Sequence, residues 1–144
     1  ATIKYMKKII SKVEEGKVLH LVHRKEDIIA EKNNLVHEKE FLQCAALNLP
    51  KGKIFKPHKH LYKEGEDKAI AQESWVIMKG KAKIFMYDLD DQVIAEERLN
   101  EGDIAMTFQG GHAYEVLEEG TIVYEFKTGP YYGQKLDKIW LDEF

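Results

Sequence analysis

The chain has 144 residues, enough for one domain with a real hydrophobic core, and its 44% hydrophobic and 33% charged residues are those of a soluble globular protein. A formal net charge of -3, with lysines spread along the chain, argues against a nucleic-acid partner. Cys44 is the only cysteine, so no intrachain disulfide forms; no apolar run approaches the ~18 residues of a membrane span; and no secretory leader is visible, so the expected compartment is cytoplasmic.

In chain order, IKYMKKIISKVEEG carries apolar residues at Ile3, Met6, Ile9, Ile10 and Val13, close to helical spacing. It predicts a short N-terminal helix that ends at Gly16 and packs outside the rest. KVLHLVHR predicts a strand, and EKNNLVHEKE a loop or single helical turn; His20, His23 and His37 stand outside any motif. FLQCAALNLPKG predicts a strand ending at Pro50, with Cys44 as a small buried residue. IFKPHKH is the next strand, and Pro57 inside it predicts a sheet edge or a bulge, because proline cannot donate to the ladder. Residues 61–72, LYKEGEDKAIAQ, are polar, contain Gly65 and predict a mobile flap.

Two strands follow around Gly80, then a turn at Asp90 and Asp91 and a further strand. Ile84, Phe85, Met86 and Tyr87 are apolar on both faces, which predicts an outer partner for that strand: a second subunit, or the N-terminal helix. NEGDIAM and AYEVL flank Gly110 and Gly111, TIVYEFK predicts the last long strand, and Gly129-Pro130 predicts a turn. Trp140, Leu141 and Phe144 are expected to dock on the barrel wall. Short strands at even spacing predict an all-β barrel.

Four residues carry the chemistry. His58 and His60 alternate with Lys59, so on a strand they share one face. Glu73 opens the strand ESWVIMK, and Gly110-Gly111 suits a tight turn that presents His112. Three imidazoles and a carboxylate can hold one divalent transition metal such as Zn, Fe, Ni or Mn, with positions left open for a ligand. Trp75 lies on the face of Glu73, and Tyr114 on that of His112. Each is either barrel core or an aromatic surface for a bound sugar.

These residues resemble the cupin family. Its first motif runs Gly, five residues, His-x-His, three or four residues, Glu, six residues, Gly. Gly52, KIFKP, His58 and His60 match one half, and Glu73, SWVIMK and Gly80 the other. The join differs, since residues 61–72 separate the halves. Glu64 has the usual spacing from His60 but meets Ala71 where glycine is due, so Glu73 is preferred. Of the second motif, Gly102, DIAMT and His112 remain; Phe108 replaces Pro, one residue instead of two separates Gly110 from His112, and Val116 replaces Asn.

The resemblance implies a jelly-roll double-stranded β-helix with a metal centre of three histidines and one glutamate. It divides the single domain into an N-terminal extension 1–39, a barrel core 40–128 and a C-terminal tail 129–144. Likeness to small bacterial cupins of sugar and surface-polysaccharide pathways implies a small carbohydrate-derived or nucleotide-sugar ligand. Three functions stay open: a metal-dependent isomerase, epimerase or lyase; a metal-free sugar-nucleotide ketoisomerase using histidine as acid or base; and a sugar-binding module without turnover. A homodimer without nucleic-acid or membrane partners is expected.

Overall fold

A computed structural model describes residues 6–61, 70–130 and 133–141. Within them lie twelve strands: β1 Lys7–Ile10, β2 Val18–Val22, β3 Lys32–Asn34, β4 Leu42–Leu49, β5 Ile54–His60, β6 Glu73–Lys79, β7 Lys81–Tyr87, β8 Val93–Asn100, β9 Ile104–Thr107, β10 His112–Val116, β11 Thr121–Thr128 and β12 Lys138–Trp140. One helix, α1, covers Gln134–Asp137, and a single 3-10 turn covers Lys25–Asp27. The strands form two five-stranded antiparallel sheets, ordered β12-β5-β10-β7-β8 and β3-β4-β11-β6-β9, with β1-β2 as a separate hairpin.

The sheets face each other, and strand alternation decides what lies between them. Leu47 and Leu49 of β4, Trp75 and Ile77 of β6, Ile84 of β7, Tyr114 and Val116 of β10 and Val123 of β11 form one buried cluster. Followed along a strand, the inward positions change character. On β10 they run Val116, Tyr114, His112; on β6, Ile77, Trp75, Glu73; on β11, Val123, Glu125, Lys127. One end of the barrel is therefore an apolar plug and the other is lined with polar groups.

The N-terminal helix predicted from residues 3–16 is absent among the described residues; a β-hairpin takes its place. Lys7–Ile10 pairs antiparallel with Val18–Val22, and the Ser11 hydroxyl closes the connection by accepting from the backbone N–H groups of Val13 and Glu14. Gly16, at φ +78°, sits in that turn. The branched Ile9, Ile10, Val18 and Val22 suit a strand better than a helix, and the partner strand outweighs the near-helical spacing. EKNNLVHEKE also departs from expectation, because Lys32–Asn34 pairs with β4 as an edge strand.

On the outer side of β7, Lys83 and Phe85 are half-buried. Lys83 Nζ lies 5.0 Å from the Phe85 ring centroid, and the Tyr87 N–H donates to the Gly111 carbonyl at 2.9 Å. The flap expected at 61–72 falls mostly on 62–69, outside the described residues, as do Glu64 and Phe144.

Candidate metal centre

His58 and His60 reach the interior because β5 bulges. Between β10 and β5, His112 pairs with His58 but Tyr114 pairs with Phe55, so two steps on one strand face three on the other. The extra residue falls at Lys56–Pro57, where proline has no N–H to lose from the ladder. Phe55 packs against the core. Without the bulge Pro57 and Lys59 would follow it inward; the one-residue slip turns His58 and His60 inward instead.

His112 is delivered by the Gly110-Gly111 turn. Gly110 adopts φ +91°, and a Cβ there would lie 2.7 Å from the Tyr87 carbonyl oxygen, so a larger residue would push the turn off β7. Glu73 starts β6 in the opposite sheet, opposite Thr107 of β9. At the far end of β6, Gly80 turns the chain at φ +87° with room for a Cβ denied by Thr121, whose Cα would be 2.8 Å away.

All four side chains are buried, and one ligand atom from each lies within 4.8 Å of all the others. His112 Nε2 is 3.2 Å from His58 Nε2 and 3.7 Å from Glu73 Oε1; His60 Nε2 is 2.9 Å from Glu73 Oε2. Ligand atoms at roughly 2.1 Å from an ion span about 4.2 Å at most, so a small contraction closes this set on one metal. Among the described residues it is the one such group.

The ring nitrogens that face away from the centre point at protein oxygens, with hydrogen bonds at His58 and His112 and an ion-pair contact at His60. His58 Nδ1 is 2.8 Å from the Lys56 carbonyl; a carbonyl only accepts, so Nδ1 carries the proton and Nε2 is bare. His112 Nδ1 is 2.8 Å from the Thr107 hydroxyl. His60 Nδ1 lies 3.3 Å from Asp137 Oδ2, which also faces Lys127 Nζ at 3.4 Å. Such outer partners orient metal-binding imidazoles.

Asp137 was not foreseen from sequence, nor was Thr107. The tail does more than dock: β12 pairs with β5, placing Lys138 opposite His60 and Trp140 opposite His58. Leu61 N–H donates to the Asp137 carbonyl at 2.7 Å, which seats α1 beside the ligand strand.

The charges follow from burial and from these contacts. Burial pushes His58 down to about 4, with neighbouring His112 adding to the effect. Burial also lowers His112, against the pull of Glu73. For His60 burial opposes the charge, but bonding to Asp137 and Glu73 outweighs it and raises the imidazole to about 9. Burial opposes the Asp137 charge as well, yet His60 and Lys127 hold its carboxyl down at about 2. Glu73 stays ionised despite burial; since His112 is neutral, the His60 imidazolium carries most of that effect. Each histidine must present a bare Nε2 to a metal, so binding at His60 releases a proton.

Trp75 and Tyr114 are core residues that also line the floor of the site. Their rings stack at 3.7 Å between centroids and 11° between planes, so one face of each serves the other. Phe55 meets Trp75 edge-on at 5.1 Å, and the Trp75 indole N–H donates to Glu125 Oε2 at 2.8 Å. Above them opens a cavity of about 490 Å³ bounded by His58, His60, Glu73, Glu125, Lys127 and Lys138.

The chain resembles solved structures over most of its length. It matches KdgF from a Halomonas species with a TM-score of 0.56 at 16% identity, over 73% of this chain and 82% of that one. It matches an uncharacterized protein with a double-stranded β-helix domain from Klebsiella pneumoniae with a TM-score of 0.57 at 14% identity, over 78% and 84%. The fold is a double-stranded β-helix barrel. It also matches oxalate decarboxylase from Bacillus subtilis with a TM-score of 0.56 at 20% identity, but over 72% of this chain and only 24% of that one. At these identities the likeness speaks for the fold alone. No family model matches the chain, and no curated protein matches it by sequence. Among the described residues no helix is long and apolar enough to cross a membrane.

Proposed function

We propose that this cupin holds one divalent transition metal through His58, His60, Glu73 and His112, and binds or transforms a small carbohydrate-derived ligand at that centre. The observation that carries the proposal is the outer ring of oxygens. Lys56 and Thr107 hydrogen-bond Nδ1 of His58 and His112, and Asp137 lies at ion-pair distance from Nδ1 of His60, while the Nε2 atoms and the Glu73 carboxylate converge. Bound there, the metal would act as a Lewis acid on a carbonyl or hydroxyl. The protein's own part is to orient the imidazoles, keep His58 and His112 unprotonated and shape the cavity floor with Trp75 and Tyr114. The sugar-pathway association of similar small cupins supports the choice of ligand.

A second reading is a metal-free ketoisomerase. The 2.9 Å pair between His60 and Glu73, with His60 raised to about 9, favours it as a ready proton donor and acceptor. Elemental analysis of the purified protein, followed by titration with zinc, manganese, iron(II) and nickel, decides between them. One metal per chain, lost in His112→Ala and retained in His20→Ala and His23→Ala, supports the metal centre. Turnover of a nucleotide-sugar panel by protein without metal overturns it. Metal binding with no turnover of any sugar tested leaves the binding module as the function.

A further inference from the structure

The cavity above the metal centre is ringed by lysines from three different strands. Lys32 comes from β3, the edge of one sheet, and Lys138 from β12, the edge of the other. Lys127 lies between them on the inward face of β11, where alternation from Val123 would place another core residue. A lysine stem at an inward position is normally turned out to water. Here the Lys127 side chain is 20% exposed and its ammonium reaches back to Asp137. Burial works most against the Lys138 charge; Glu73 and Asp137 attract it and Lys127 and Lys32 repel it, while its ammonium lies 4.8 Å from the Trp140 ring centroid. Like charges gathered in a recess are unfavourable without a counter-charge.

The carboxylates in the same recess are already committed. Glu73 belongs to the metal set, and Glu125 accepts the Trp75 indole N–H. Glu38 lies at the rim. With a divalent ion bound, three lysines and the metal carry five positive charges against four carboxylates, Asp137 included. Asn34 adds an uncharged hydrogen-bonding group along the wall, while Gln43 donates its amide to the His37 and Glu40 carbonyls.

We infer that Lys32, Lys127 and Lys138 form an anion subsite, so that the ligand is a small polar molecule carrying a carboxylate or a phosphate. Its charged end bridges the edges of the two sheets while its other end reaches the metal. A cavity of about 490 Å³ accommodates a molecule the size of one sugar. The inference deepens the proposed function and rests on it only for the metal end of the ligand.

The test uses two matched pairs differing in charge: D-gluconate against D-glucitol, and D-glucose 6-phosphate against D-glucose. Each is titrated calorimetrically into metal-loaded full-length protein in phosphate-free buffer. At least one anion binds tenfold or more tightly than its neutral partner, and which one identifies carboxylate or phosphate. Lys32→Gln and Lys138→Gln each weaken that anion by about tenfold and leave the neutral partner and the metal content unchanged. Added sodium chloride weakens the anion alone, a readout that needs no variant. Equal binding of charged and neutral partners, no binding of either anion, or a preference that survives both substitutions overturns the subsite. A protein that takes up no metal yet prefers the anion defeats the metal centre and leaves the subsite standing.

Discussion

Replacing Asp137 by Asn isolates the role of the tail in the metal centre. Asp137 is 2% exposed and sits against His60 Nδ1 at 3.3 Å, with Lys127 Nζ at 3.4 Å on the same oxygen. Asparagine keeps the shape and an acceptor oxygen but removes the charge. The 3.3 Å contact is a buried ion pair rather than a hydrogen bond, and removing its negative charge costs about 1–2 kcal/mol at His60. That converts to roughly 5–30-fold weaker metal binding, in line with the effect of outer-shell changes elsewhere. The assay is competition against a chelator of known affinity, with Glu96→Gln, which removes only a surface pair with Lys83, as the control. In the metal-free protein, proton NMR should show the His60 imidazole titrating well below its value of about 9. Unchanged metal affinity together with an unchanged His60 titration would refute the positioning role of Asp137.

Three further outcomes are expected. Glu73→Gln should strip the metal while Glu64→Gln leaves it in place, as measured by metal content after dialysis; the reverse would move the carboxylate ligand to Glu64. The metal-free protein should be most stable near pH 6.5. His60, raised from the ordinary 6.5 to about 9, contributes stability that is complete below 6.5 and lost as pH rises through 9. His58, lowered to about 4, costs stability as pH falls from 6.5 through 4; each effect amounts to about 3 kcal/mol, readable from urea unfolding across pH. Light scattering should give a dimer rather than 16.7 kDa. Its interface is expected on the outer face around Leu42, Met106 and Phe108, whose side chains are 60%, 58% and 64% exposed, and Phe108→Asp should dissociate it.

Local chemistry was enough to read most of the strands. Alternating branched and aromatic residues mark β6, β7 and β11, and glycines at φ +87° to +91° set turns at strand ends, so the spacing from Glu73 to Gly80 follows from the length of one strand. His-x-His on one face likewise follows from the period of a strand. The N-terminal segment failed because its apolar spacing suited two structures, and pairing between Lys7–Ile10 and Val18–Val22 decided for the hairpin. The inward turn of His58 and His60 needed a bulge whose position is defined only against β10. Glu125 and Lys127 stand in register with Val123, but a strand by itself does not declare which face is inside, nor at which end of the barrel it turns polar. Asp137 was silent for the same reason. It lies 77 residues after His60 (137 − 60), and only antiparallel pairing of β12 with β5 brings the two together. Residue type and period determine which side chains share a face; non-local pairing, which no local pattern encodes, decides which faces meet.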